Sequence, residues 1–293
     1  MFVFRPANAR DREAVERISA KIWDGDDYMP YVFDAWCADT DGEFTMIEFE
    51  GAVVGFAKLT FLTPYDAWME GLRKDPDTTV RGVGTALSRY YLRWLKHRKG
   101  LHSVRFSTYF GNTQSRILNE RLGFEVVRTM SVKSKNYESE INRAEFLHIE
   151  PCCADEEVLE FIRTSQWFDT FLCDGWRVYP YTEDILKENF CTPGALWGIR
   201  EQEKLRALMV LRIDRERQHG KIIFIAAHTK EHAQELFAFA QFSIMENGFD
   251  YCEAIVPTHH PGKQHFADNG FISWEQEDDF LIYEIPLELV YGK

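Results

Sequence analysis

The stretch Arg81-Gly82-Val83-Gly84-Thr85 follows a strand-like segment, Glu70 to Lys74, and leads into the helical pattern that ends at Gly100. Two glycines one residue apart at such a break let backbone N–H groups curl toward one point, and the missing Cβ atoms admit anion oxygens. A helix N-terminus adds unpaired N–H groups and the positive end of the helix dipole. Eight Lys and Arg side chains between residues 71 and 99, against only Asp75 and Asp77, supply a local positive field. This fits a phosphate-bearing ligand; a tight glycine cap on an ordinary solvated helix has the same composition. The stretch is not a P-loop, because no Gly-Lys-Ser/Thr occurs, and it lacks the third glycine and the βαβ setting of a dinucleotide fingerprint.

Glu70 is the upstream candidate for acid–base work. On a regular strand it shares a face with Trp68 and Leu72. A carboxylate half-buried beside aromatic rings can have a raised pKa and relay a proton through water. A surface or salt-bridged glutamate is the alternative. The six cysteines and nine histidines, His259-His260 included, show no metal-site spacing, and no metal is expected. Free thiols in a reducing cytosol are the plain reading. Cys37 has no histidine signal beside it that would make it a nucleophile.

Alternating and 3.6-residue patterns divide the chain into two similar series of strands and helices. Gly100 and Gly123-Phe124 recur as Gly248 and Gly270-Phe271, a repeat of roughly 147 residues. Two domains of one α/β (α+β) fold are expected, 1–147 and 148–293. Each would hold a mixed, mostly antiparallel twisted sheet flanked by helices. The second half carries no glycine pair at the position equivalent to Gly82 and Gly84. It also carries the whole net charge of −13: residues 1–147 hold 21 basic and 21 acidic side chains, and 148–293 hold 13 and 26. That balance disfavours nucleic acid. No apolar run approaches the ~20 residues needed to span a bilayer, and the N-terminal residues lack a secretion-signal pattern. A cytoplasmic protein is expected, of open oligomeric state.

Three motifs in order carry a resemblance over roughly residues 3–130. "EGLRKDP" (Glu70–Pro76), Thr79-Val80-Arg81-Gly82-Val83-Gly84, and Asn112 through Asn119 to Leu122-Gly123-Phe124 resemble those of the GNAT superfamily of acyl-coenzyme A N-acyltransferases. "DYMPYVFDAW" (Asp27–Trp36) is similar to histidine N-acetyltransferase-like members with a degenerate second half. The resemblance implies acetyl-coenzyme A as donor, a small amine or amino acid as acceptor, histidine among them, and direct attack by the amine. It implies that Glu70–Lys74 splays from its neighbouring strand and that the Leu72 N–H serves as oxyanion donor. The cofactor would lie along Leu72, Arg73, Lys74, Thr79, Val80, Arg81, Gly82, Val83, Gly84 and Thr85, with Asn112 and Arg116. Glu70 would act as base.

Asp27 and Tyr28, in the loop between the first two helices, and Tyr109 would face the acceptor. Helix capping by Asp27 and a core position for Tyr109 are the competing readings. Two positions depart from the motifs: Thr79 stands where Arg or Gln is usual, and Asn119 where a tyrosine acid is usual. Asn119 cannot protonate a thiolate, so it is left a positioning role. Tyr109, Tyr28, Ser115 or unassisted departure of the thiolate remain for the proton. Acetylation of a protein amine or of a polyamine or aminoglycoside-like substrate, and a non-catalytic acyl-coenzyme A sensor, are the alternative functions.

Overall fold

The computed structural model describes residues 1–138, 146, 148–167 and 169–292. They divide into two units, the first of residues 1–127 with 282–293 and the second of residues 128–281. The first unit runs β1 (Phe2–Pro6), α1 (Arg12–Ser19), α2 (Met29–Ala38), β2 (Glu43–Phe49), β3 (Ala52–Thr63), β4 (Asp66–Lys74), α3 (Val83–Leu95), β5 (Ser103–Tyr109) and α4 (Thr113–Glu120). Strands β1 to β4 pair antiparallel in sequence order, and β5 joins β4 in parallel.

Helices cover both faces of this sheet. Val15 and Ile18 of α1 and Met29, Phe33 and Trp36 of α2 pack with Phe44, Met46 and Phe56, which makes one apolar cluster on the α1–α2 side. On the other side α3 buries Val83, Leu87, Tyr91 and Leu95, the three-to-four spacing of one helix stripe. The Tyr91 hydroxyl donates to Ala57 O at 2.5 Å, which anchors α3 to β3.

The second unit takes β6 (Glu125–Asn136) from residue 128 onward. It continues through β7 (Ile149–Pro151), α5 (Glu156–Thr164), the hairpin β8 (Phe171–Asp174) and β9 (Arg177–Pro180), and the turn α6 (Glu183–Ile185). Then come β10 (Leu196–Glu201), β11 (Lys204–Asp214), β12 (His219–Ala227), α7 (Lys230–Glu246), β13 (Tyr251–Pro257), α8 (Lys263–Asp268) and β14 (Ile272–Ser273). Its sheet order is β6-β13-β12-β11-β10-β7. Strand β15 (Phe280–Glu284) passes at residue 282 into the first unit, where it lies next to β5 and is followed by α9 (Leu287–Tyr291).

The division therefore differs from a single cut between 147 and 148. Each half of the sequence gives up its last strand: β6, after α4, belongs mainly to the second unit, while the end of β15, after α8, belongs to the first. Pairing decides this. Met130 to Asn136 of β6 pair with Pro257 to Tyr251 of β13, and the Ile285 N–H donates to Val104 O of β5 at 3.1 Å.

Candidate active site

Strands β4 and β5 pair only at Asp66 with Ser103, Ala67 with Val104 and Trp68 with Arg105. Past Trp68 they part, so residues 69–74 keep β3 on one side and have no paired strand on the other. At the same place β4 carries one residue more than β3: Arg73 faces Phe56 and Glu70 faces Lys58. Gly71, at φ +63°, takes up the extra residue as a β-bulge. A Cβ there would sit 2.5 Å from the Trp36 ring, so no other residue fits without moving α2.

The bulge re-phases the strand. Glu70 stays on the α1–α2 side, where Thr60 Oγ1 donates to its Oε1 at 2.5 Å. Leu72 turns to the α3 side, with its methyl carbons 3.4 and 3.8 Å from where a Cβ on Gly84 would be. The regular alternation that puts Glu70 and Leu72 on one face fails here because Gly71 inserts between them.

Gly82 caps α3 at φ +78°, with no side-chain cap and no acidic residue in the first turn. A Cβ on Gly82 would meet nothing within 4 Å. The helix end at Val83, Gly84 and Thr85 is thus electrostatically positive and open. Gly84 has a milder constraint: its Cβ would lie 2.8 Å from Leu118 Cδ1, the flexible end of a side chain on α4 that would have to shift. The loop into the helix is held from within. Asp75 N–H donates to Val54 O at 2.9 Å and Asp75 Oδ1 accepts from the Asp77 N–H at 3.0 Å, while Arg17 pairs with the Asp75 carboxylate. The Val80 N–H donates to Thr78 Oγ1 at 3.2 Å. Lys74, Thr79 and Arg81 are exposed beside this helix end.

The equivalent place in the second unit is closed. β12 and β13 pair in parallel only from Gly220/Cys252 to Ile222/Ala254 and then diverge. Phe171, Leu172 and Cys173 of β8 and Trp167 line the gap with Ile223 and Ile255, leaving a cavity of about 30 Å³, room for no more than a water or two. The N-terminus of α7 is capped by Thr229 Oγ1, which accepts from the His232 N–H, and Glu231 lies in its first turn.

The other predicted positions are mostly occupied by the protein's own groups. Asp27 is fully enclosed and takes two hydrogen bonds from Arg73, Nε to Oδ2 at 3.0 Å and Nη2 to Oδ1 at 2.9 Å. Arg73 also donates to Leu72 O at 3.1 Å and lies 4.5 Å from the Trp23 ring and 5.5 Å from that of Tyr28. Asn112 Oδ1 caps α4 by accepting from the Ser115 N–H at 3.2 Å. Arg116 donates to Phe110 O at 2.8 Å and to the Tyr283 hydroxyl at 3.3 Å. Asn119 is buried; its Nδ2 donates to Ser115 O at 2.9 Å and its Oδ1 accepts from the Ser88 hydroxyl at 3.3 Å. Tyr28 packs edge-on to Trp36, and Tyr109 is half-buried against Phe110. Gly71, Trp36 and Thr60 belong to this site as well; the signal for the first is a glycine inside a strand pattern, which marks a bulge, while Trp36 and Thr60 have no local signal.

The sequence profile of the acetyltransferase (GNAT) family matches residues 12–124. That segment is similar to the GNAT family over 113 of the 293 residues. Over 98 residues the chain is 31% identical to a histidine N-acetyltransferase of Xenopus tropicalis, which is 33% of this chain and 30% of that protein. The match thus spans about a third of the curated relative's length. A GCN5-related N-acetyltransferase from Sphaerobacter thermophilus superimposes with TM-score 0.72 at 15% identity over 97% of this chain and 95% of its own. One from Anabaena variabilis gives 0.54 at 13% over 96% and 72%. At those identities the structures show a shared fold, and they do so along nearly the whole chain, not over residues 12–124 alone. Among the described residues no helix is long and apolar enough to cross a membrane, and no cluster of His, Cys, Asp or Glu could hold a metal ion.

Proposed function

We propose that the protein is an acetyl-coenzyme A-dependent N-acetyltransferase whose donor lies in the opening between β4 and β5 of the first unit. The observation that carries this is the coincidence of that opening with an uncapped helix end at Gly82. The residues suit the donor. The N–H groups of Val83, Gly84 and Thr85 would hold the pyrophosphate, with Lys74 and Arg81 nearby, and the unpaired edge of residues 72–74 would bind the pantetheine arm. The Leu72 N–H would hold the thioester oxygen. Glu70, oriented by Thr60, would take the proton from the attacking amine through water. Asn119 stays in its bonds to Ser88 and Ser115, so the thiolate leaves unassisted; a thiol pKa near ~8.5 makes that tolerable.

The second unit is read as a degenerate copy. Its strand gap is filled from within and its helix end is capped. The acceptor is a small amine or amino acid, and histidine is a specific candidate because of the relative's name and the Asp27–Trp36 likeness. Acetyl-coenzyme A should raise the melting temperature of the intact chain, by the equivalent of about 2.7 kcal/mol at a hundredfold excess over Kd. Gly82→Trp should fold and lose that shift. No shift with the unaltered protein would overturn the donor reading.

A further inference from the structure

The transferase reading above, on which this inference rests, needs the Leu72 N–H at one fixed place, and the strand itself does not fix it. On the β5 side, residues 69–74 have no paired strand. On the β3 side, the register steps from Glu70 with Lys58 to Arg73 with Phe56 and gives Gly71 and Leu72 no partner. Both residues therefore lie outside the two ladders.

What holds them comes from α2 and the loop before it. The Trp36 ring and Met29 Sδ close on Gly71, 2.5 and 3.3 Å from where a Cβ would sit. On the other side of Leu72, Arg73 Nη1 donates to Leu72 O at 3.1 Å. That guanidinium is itself clamped: its Nε and Nη2 donate to the two carboxylate oxygens of Asp27, and the Asp27 side chain is fully enclosed. Two parallel bonds of this kind fix the plane of the guanidinium as well as its position.

The same loop is strained. Trp23 and Asp24 hold φ of +48° and +58°, a region that non-glycine residues rarely adopt. Such backbone persists where its surroundings over-determine it. Here it lays the Trp23 ring 4.5 Å from the Arg73 guanidinium, which leaves that side chain 11% exposed. Keeping water from the fork strengthens its bonds.

We infer that Asp27 and Arg73 are positioning residues for the transfer step. The fork holds Leu72 O and through that peptide orients the Leu72 N–H toward the thioester oxygen. The two side chains contact neither donor nor acceptor, unlike the cofactor and acceptor roles expected from the sequence.

The double variant Asp27→Leu with Arg73→Met tests this. It leaves no orphan charge, so it stays more stable than either single change and separates positioning from stability. Its calorimetric affinity for coenzyme A should match that of the unaltered chain within a few-fold. Its kcat, from thiol release with the fastest amine of a panel that includes histidine, should fall roughly 10–100-fold with little change in the donor KM. A second measurement needs no turnover. A hydrogen bond to the thioester oxygen lowers its C=O stretching frequency, so isotope-edited infrared spectra of bound acetyl-coenzyme A should show a lowered band in the unaltered chain. In the double variant that band should return toward the position of the free donor.

A double variant that keeps both kcat and the lowered band assigns the fork to stability alone and overturns the inference. Loss of coenzyme A affinity overturns it too, because Arg73 is then a donor contact. An unaltered chain that binds the donor without lowering the band removes the Leu72 N–H as oxyanion donor, and the fork's role with it. Failure of the transferase reading looks different: the unaltered chain binds donor and releases thiol with no amine, and the infrared comparison then decides the role of the fork.

Discussion

Asp27 and Arg73 share two hydrogen bonds with almost no solvent contact. Removing one partner of such a pair leaves a buried charge without compensation. Asp27→Ala is expected to cost about 3–5 kcal/mol, read from the urea midpoint. The double variant Asp27→Leu with Arg73→Met should cost less than the single one, because no orphan charge remains. The sequence places Asp27 in the loop between the first two helices but not its partner: Arg73 is 46 positions away, and no local pattern links them. Asn119 is a similar case. Its type rules out acid catalysis in advance, but only the packing of α3 on α4 reveals Ser88 as its partner.

At the level of the element, the three glycines of this region carry different constraints. Gly71 has both a left-handed backbone and a ring in the way, Gly82 a left-handed backbone with open space, and Gly84 only the flexible end of Leu118. Alanine should therefore cost about 2–5 kcal/mol at Gly71, from strain plus overpacking. It should cost about 1–2 kcal/mol at Gly82. At Gly84 the cost should stay within about 1 kcal/mol, because better helix propensity offsets a small shift of Leu118. Urea midpoints of the three variants should fall in that order, and a Gly71→Ala protein as stable as Gly84→Ala would contradict the bulge. The strand at 70–74, the helix after Gly82 and the glycine pair itself are legible from composition and periodicity. Gly71 inside the strand pattern is the one local signal of the bulge, but a period of two does not show the inserted residue itself, and that residue decides which side Leu72 faces.

For the whole molecule, the repeat with its matched glycine stops is readable from the sequence, but the exchange of last strands is not. Strands β6 and β15 have similar patterns, and nothing local tells each which sheet edge to join. A fragment of residues 1–147 lacks Tyr283, which stacks on Phe106, and Tyr291, whose hydroxyl donates to Arg98 O at 3.0 Å. It should show no cooperative thermal transition. A chain that joins Val127 to Ile282 through a flexible linker should show one. A cooperative melt of the fragment would mean that residues 282–293 are dispensable to the first unit.

The same exchange sets an order of events during synthesis. Residues 128–281 are contiguous and can collapse as soon as they are made, whereas the first unit must wait for a strand made after all of them. At roughly 5–20 residues per second that wait is on the order of ten seconds. During it the edge of β5 stands open to any extended chain nearby. A ribosome that stalls within the second unit would release a nascent protein whose older half is the less finished one.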